Sequence, residues 1–352
     1  MRILVIGGTG FLGRPLVRAL RGDGHEVAIF HRGEHCAGDE VGHFHGDRRE
    51  MEAYGPAMTR FAPEVVVDLI CGSAAAARRT LRVLAAPRRR VVLISSLDVY
   101  RAWAVFHGVD RGPIEPAPQS ETARLRSSSG LYPAATLAHL RRLHPWMAEG
   151  YDKLGMERAA TAWPAAPGAW LTILRLPPLY GPGDPHRRLY ALWRRMRDGR
   201  GAILLPRGWA EWRSPRGYVS NMAHGVALAA TNPRAAGRVY NLADAGNFSE
   251  AEWATAVGQV AGWRGRMVVA SPAHMPPHLR VTAVTAQHCA ADTSRIRQEL
   301  GFREPVSREE AIRATLIHER DHPPMNADPG LFDYAAEDAV LSGLGVAASR
   351  AG

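Results

Sequence analysis

Three glycines spaced three apart, Gly7, Gly10 and Gly13, stand between an apolar run (Ile3, Leu4, Val5, Ile6) and a segment with apolar residues at helical spacing (Phe11, Leu12, Leu16, Val17, Leu20). No other feature restricts the fold as strongly. A strand that passes through glycines straight into a helix opens a β-α-β unit. Gly7 permits the tight turn, Gly10 lets backbone approach a pyrophosphate, and Gly13 lets the helix pack close to the strand. The helix start then offers unpaired N–H groups and a partial positive charge to phosphate.

The alternation continues. Gly22-Asp23-Gly24 stops the first helix and 26–30 reads as the next strand. Strands are predicted over 65–69, 91–95 and 171–176, with an Ala- and Arg-rich helix over 74–86. Parallel strands need crossover helices, so the pattern predicts an α/β fold with a doubly wound parallel sheet. We assign 1–180 to a dinucleotide-binding domain, with 215–245 returning to it. Segment 101–148, rich in Pro and Ser and poor in periodicity, reads as an inserted lid or loop. Helices predicted over 189–197, 250–260 and 308–319 place a smaller, mainly substrate-binding lobe in 181–320, and 321–352 reads as a peripheral tail.

Composition narrows the function. At 46% hydrophobic and 22% charged, a chain of 352 residues is too apolar to be disordered. Its apolar runs, such as 3–6 and 91–94, are too short to cross a membrane. With no basic leader before the first strand, a cytoplasmic location is expected. Cys36, Cys71 and Cys289 are scattered, which argues against a disulfide framework and a cysteine-based zinc site. The net charge of +10 is spread along the chain, as solvated helix faces would spread it, so nucleic acid is not the expected partner. His43 and His45 share one face of an extended segment, with His31 and His35 nearby. No acid or Cys completes a ligand spacing, so these read as surface or supporting histidines and no metal is expected. Trp209 and Trp212, between Arg207 and Arg213, read as packing residues.

Two local patterns are sharper. Lys153 is the single lysine, against 43 arginines. A position that keeps an ammonium under such a bias is a candidate for chemistry that a planar, always-charged guanidinium cannot do. Where a carboxylate would bind a ribose 2′-hydroxyl, after the second strand, the chain has His31-Arg32. A guanidinium there pairs with a 2′-phosphate, which tilts the cofactor toward NADP over NAD. Asp47, after the next strand, is placed to accept from an adenine amino group or to cap a turn.

A set of motifs resembles the extended short-chain dehydrogenase/reductase family, in its NAD-dependent epimerase/dehydratase branch, over 1–320. They are the glycine loop, Gly46-Asp47, Ile94-Ser95-Ser96-Leu97-Asp98-Val99-Tyr100, Lys153-x-x-x-Glu157, Leu174-Arg175, Tyr180-Gly181-Pro182-Gly183-Asp184, Arg216-Gly217-Tyr218-Val219, Tyr240-Asn241, and Asp292-Thr293-Ser294 with Leu300-Gly301. The resemblance implies a Rossmann-type sheet, NAD or NADP held tightly, a homodimer, and a small polyol, nucleoside or nucleotide-sugar substrate. It implies cofactor contacts from Gly7, Gly10, Phe11, Leu12, Gly13, His31, Arg32, Asp47, Leu69, Lys153 and Pro177. It implies substrate contacts from Ser96, Asp98, Pro178 and Arg216.

Family chemistry joins a Ser or Thr, a Tyr acting as acid or base, and a Lys that holds the nicotinamide ribose. Ser96 and Lys153 fall on two of these positions. The third departs from the pattern, because the residue four before Lys153 is Glu149, whereas Tyr151 lies two before it. Positions i and i+2 of a helix do not share a face, so Tyr151 serves only if the helix begins near it, which Gly150 permits. Glu149 is the alternative proton acceptor. A third is a group from the insert (Tyr132, His139 or His144) or Asp98. Pro178 stands where nucleotide-sugar enzymes often carry an Asn, so the substrate class stays open.

The activity expected is oxidation of a secondary hydroxyl by hydride transfer, followed by epimerisation or elimination beside the new ketone. The alternatives are an inactive dinucleotide-binding protein with an RNA-binding or regulatory role, and an NADP-linked reductase that releases its cofactor.

Overall fold

The computed structural model describes residues 1–33, 41–164, 170–325 and 328–346. Cys36 and His35 lie outside these residues. At the centre are seven parallel strands: β1 (Arg2–Ile6), β2 (Glu26–His31), β3 (Gly42–His45), β4 (Val65–Asp68), β5 (Arg90–Ser96), β6 (Trp170–Leu176) and the strand Val239–Asn241. Their order is Val239–Asn241, β6, β5, β4, β1, β2, β3. The direction of winding reverses between β4 and β1. Loops diverge there and leave a crevice above the carboxyl ends, where ligands of doubly wound sheets bind.

Helices cover both faces, which is why the strands read as continuous apolar runs rather than alternating ones. Ile3 to Ile6 are all fully buried. On one face α1 (Gly13–Gly22) and the helix Val219–Thr231 bury Leu16, Val17, Leu20, Met222 and Val226. On the other, α2 (Met51–Arg60) and α3 (Ala74–Leu84) bury Met58, Ala77 and Leu81.

The insert is not a structureless loop. It contains α4 (Arg101–Phe106), α5 (Ala134–Leu143) and a helical turn Pro145–Glu149. All six residues of α4 are buried, so it has no polar face to reveal a helical period in the sequence. Phe106 stacks on Trp212, which stacks on Trp209, so these tryptophans serve as packing for the insert. Arg101 is held by Asp110 and Glu115. The helix α6 (Lys153–Thr161) follows and packs against α3.

The C-terminal lobe has its own core, with Tyr190, Trp193, Trp253, Val257 and Ile312 in contact. The last segment is not peripheral. Its helix Tyr334–Gly343 buries Glu337 and Leu341 completely, and Glu337 pairs with the buried Arg195 at 2.6 Å. A charge so buried must be paired, and the pairing docks the tail.

Candidate active site

A cleft of about 1380 Å³ opens above the carboxyl ends of the strands. The glycine loop forms one wall. A side chain at position 13 would place its Cβ 2.4 Å from the Gly7 carbonyl oxygen, so α1 can approach β1 only as glycine. Gly7 has φ 88°, a left-handed conformation, whereas at Gly10 the nearest atom to a Cβ is 3.7 Å away. No side chain caps α1, which leaves its start open to a ligand. These are the features of a pyrophosphate cradle, and the residues present fit a dinucleotide.

All eleven residues expected to touch cofactor line this cleft, from Gly7 through Leu69 and Lys153 to Pro177. At its far end His31 accepts from the Gly33 amide through Nδ1 and meets His43 Nδ1 with Nε2 at 2.9 Å. His31, His43 and His45 form one cluster, their ring nitrogens within 4.8 Å of one another, because β2 and β3 pair in register there. Burial and the neighbouring imidazoles hold the His31 pKa down. Arg32 lines the cleft beside them. Asp47 caps the turn Arg48–Glu50 by accepting from the Arg49 amide, and its two oxygens also receive the Arg49 guanidinium at 3.1 and 2.8 Å. That side-chain bond pulls its pKa below the usual range.

Of the other expected residues, Ser96, Asp98, Tyr151 and Lys153 converge at the ends of β4 and β5. Ser96 closes β5. Asp98 follows in the turn Leu97–Val99, and its amide donates to Ser96 Oγ at 3.2 Å. The helix α6 begins at Lys153, and Gly150 takes φ 104° just before it. The condition under which Tyr151 can stand beside Lys153 is therefore met. The Lys153 ammonium is 5.3 Å from the Trp146 ring centre and 6.0 Å from that of Tyr151. It donates to the carbonyls of Cys71 and Ile94 at 2.8 and 2.7 Å. Burial lowers its pKa. The Tyr151 hydroxyl donates to Asp98 Oδ2 at 2.7 Å. Tyr132, from the insert, donates to the same oxygen at 3.1 Å. Burial and the Asp98 charge push both phenols well above their ordinary pKa.

What holds this geometry is buried and ionic. Glu157, one turn after Lys153, receives Arg175 of β6 at 2.7 and 3.0 Å and the Ser95 hydroxyl at 2.5 Å. These bonds lock α6 to β5 and β6. Arg175 also donates to the Tyr100 hydroxyl, which donates to Asn241.

Glu149 lines the cleft but faces α3, where Arg79 donates to both its oxygens at 2.9 and 3.1 Å. Arg48 lies 3.9 Å away on the same side. Glu149 is an anchor for the insert in this structure rather than a neighbour of Lys153. Pro178 lines the cleft, but Arg216 does not. Its guanidinium pairs with Glu250 and lies over Trp253, inside the C-terminal lobe. His139 is exposed, and His144 pairs with His186 across the rim at 2.8 Å. Sequence reasoning missed Arg14, Arg18, Trp146, His186 and Arg188, which also line the cleft. Only Arg14 and Arg18 had a signal, since they follow the glycine loop on α1.

A model of the NAD dependent epimerase/dehydratase family matches residues 3–243. The chain belongs to that family. Among curated relatives, 2'-dehydrokanamycin reductase of Streptomyces kanamyceticus is 30% identical over 255 residues, 69% of this chain and 62% of the relative. Protein y4nL of Sinorhizobium fredii (strain NBRC 101917 / NGR234) is 35% identical over 117 residues, 33% of this chain and 32% of the relative. The chain thus spans less than two thirds of the length of either. Among solved structures, MoeE5 in complex with UDP-glucose and NAD has a TM-score of 0.63 at 20% identity, covering 91% of this chain and 99% of the other. UDP-glucuronic acid 4-epimerase from Bacillus cereus, in complex with UDP-glucuronic acid and NAD, has a TM-score of 0.64 at 16% identity, with 91% and 99% covered. These structures share the fold. Among the described residues, no helix is long and apolar enough to cross a membrane.

Proposed function

We propose that this family member transfers hydride between a nicotinamide dinucleotide and a secondary hydroxyl carbon of a sugar-like substrate. The observation that carries the reading is the convergence of Ser96, Tyr151 and Lys153 at the end of β5, in the same cleft as the glycine cradle. The nicotinamide, when bound, supplies the hydride acceptor or donor. Lys153 holds the adjoining ribose. Its ammonium is fixed by two carbonyls and keeps a third donor. Ser96 orients the substrate oxygen and Tyr151 exchanges its proton. Trp103, Tyr132 and Trp146 wall the substrate side with rings that suit a sugar face. Once a ketone has formed, the neighbouring C–H is acidified, so epimerisation or elimination can follow before hydride returns. The insert, closing over this side, belongs functionally with the substrate lobe.

Arg32, with His31 and no carboxylate among the described residues directly after β2, favours NADP at the adenosine end. A second reading, an NADP-linked reductase that releases its cofactor, is favoured by the likeness to 2'-dehydrokanamycin reductase. Mass analysis of the denatured protein separates them, since retained dinucleotide supports internal redox and its absence supports the reductase. The central test uses Lys153→Met and Ser96→Ala with UDP-glucose and kanamycin as probes, because these represent the two kinds of relative. Unchanged hydride transfer in both variants would end the assignment.

A further inference from the structure

We propose that Asp98 is the proton acceptor of this site, with Tyr151 relaying the substrate's hydroxyl proton to it and Tyr132 bracing the carboxylate. The inference rests on the hydride-transfer reading above and names the group that reading leaves open.

The geometry is specific. Asp98 is 3% exposed, and one of its oxygens receives two phenols, Tyr151 at 2.7 Å and Tyr132 at 3.1 Å. The other oxygen, Oδ1, is buried with no partner among the described residues. A buried carboxylate oxygen left unsatisfied is costly, and native proteins keep such atoms mainly where they have work to do. The backbone around it is fixed. Ser96 Oγ accepts from the Asp98 amide, and Arg126 donates to the Asp98 carbonyl at 3.1 Å. Arg126 is 1% exposed and comes from the insert. It also donates to Asp152 Oδ1 at 3.1 Å, next to both Tyr151 and Lys153. One guanidinium therefore ties the acid to the segment that presents the phenol.

In this arrangement the Tyr151 proton already points at Asp98, and the phenol oxygen keeps its lone pairs for a substrate hydroxyl. A phenol held protonated by burial and by a facing carboxylate is a poor base by itself. It is a good relay, because it can take one proton as it gives up another. In the oxidation direction the substrate O–H bond breaks and its proton joins Tyr151 Oη. The phenolic proton moves to Asp98 Oδ2. The substrate carbon gives up its C–H pair as hydride to the oxidised nicotinamide and becomes a ketone. Two electrons leave the carbon for the dinucleotide, and one proton ends on Asp98. Reduction runs the same path backward, with Asp98 as the acid. The groups facing Asp98 are Tyr132, Tyr151, Ser96, His107, Arg126 and Lys153. This relay accounts for a tyrosine two residues before the lysine, since the carboxylate replaces the lysine in drawing off the phenol's proton.

The test uses the full chain with Asp98→Asn, Asp98→Glu, Tyr132→Phe and Tyr151→Phe. The first readout needs neither substrate nor cofactor. Ultraviolet titration of tyrosine ionisation should show phenols ionising at lower pH in Asp98→Asn than in wild type, with the shift reduced when Tyr151→Phe is added. An unshifted titration would overturn the proposal. The second readout is hydride transfer with UDP-glucose or kanamycin and either dinucleotide. Asp98→Asn should lose roughly 10²- to 10⁴-fold and its acid-side pH dependence, while Asp98→Glu recovers part of both and dinucleotide binding is retained. Asp98→Asn within about threefold of wild type, with the same pH profile, would equally overturn it, because a general acid–base group contributes far more than that. Bound dinucleotide without hydride transfer by the wild-type chain counts against the proposed function instead, since the titration judges the Asp98 geometry alone.

Discussion

The two halves of the cleft are built in different ways. The half to which we assign the cofactor is mostly backbone. Gly7, Gly10 and Gly13 shape it within seven residues, and its fit depends on the absence of side chains. The half to which we assign proton transfer is mostly side chains, drawn from β5 (Ser96), the turn after it (Asp98), the insert (Tyr132) and the start of α6 (Tyr151 and Lys153). A backbone cradle fails when something is added. A side-chain constellation fails when something is removed, and its parts are unequal.

The largest effect expected on dinucleotide affinity is therefore at Gly13. In Gly13→Val the Cβ meets the Gly7 carbonyl oxygen and the Gly8 backbone at 2.4 to 2.7 Å, backbone that cannot yield as a flexible side chain does. Overpacking of this kind costs about 1–3 kcal/mol or more. Dinucleotide affinity, followed by nicotinamide fluorescence, should fall about 100-fold or more, a loss that corresponds to about 2.7 kcal/mol. Full affinity in this variant would break the contrast, because the cradle would then tolerate addition.

Lys153→Met comes next. Hydride transfer should drop roughly 10²- to 10³-fold while the dinucleotide still binds. The protein should also lose stability, because the carbonyls of Cys71 and Ile94 are left without their donor, at about 1–3 kcal/mol for a buried unsatisfied group. A thermal melt separates this loss from the catalytic one.

The same contrast explains what was legible in the sequence. The cradle is contiguous, so Gly7 to Gly13 could be read directly, and the sheet follows from local alternation. Strand and helix ends shift by only a few residues, as with the strand expected over 91–95, which runs from Arg90 to Ser96. In the half to which we assign proton transfer, the sequence offered candidates but not their arrangement. Tyr151 and Glu149 look equivalent in the sequence, and what separates them is Arg79, a residue of α3 that claims the glutamate. Asp98, Tyr132 and Tyr151 meet through a long insert whose path no local pattern reveals. The placement of Arg216 was hidden for a similar reason, since its partner Glu250 belongs to a helix of the other lobe.

Glu149→Gln sharpens this division at a smaller scale. Hydride transfer should stay within about threefold of wild type, since proton transfer by a positioned group contributes 10²- to 10⁴-fold and Glu149 faces away from Lys153. Stability should fall by about 1–3 kcal/mol, because Arg79 loses a two-oxygen pairing and Arg48 a neighbouring charge. A 10²-fold loss of hydride transfer without loss of dinucleotide binding would return Glu149 to the role of proton acceptor.

The smallest effect concerns the rim, where the insert touches the substrate lobe. His144 and His186 share a 2.8 Å contact that needs at least one neutral imidazole. Burial above all, then Arg188 and the neighbouring imidazoles, lower the His186 pKa from 6.5 to about 3. Above pH 6.5 the ring is neutral both folded and unfolded, and the contribution is complete. Below it the unfolded chain takes up a proton that the folded one refuses, so stability is lost progressively toward pH 3. Between pH 7 and 5.5 the loss should reach about 1 kcal/mol, reduced by solvent screening because the ring is partly exposed. Denaturant titrations at the two pH values should show it in the wild type and less of it in His186→Asn. A rim that loosens on acidification while the glycine cradle keeps its dinucleotide affinity would show that the two halves of the cleft respond separately. Equal losses in both would mean that the insert and the cradle open as one unit.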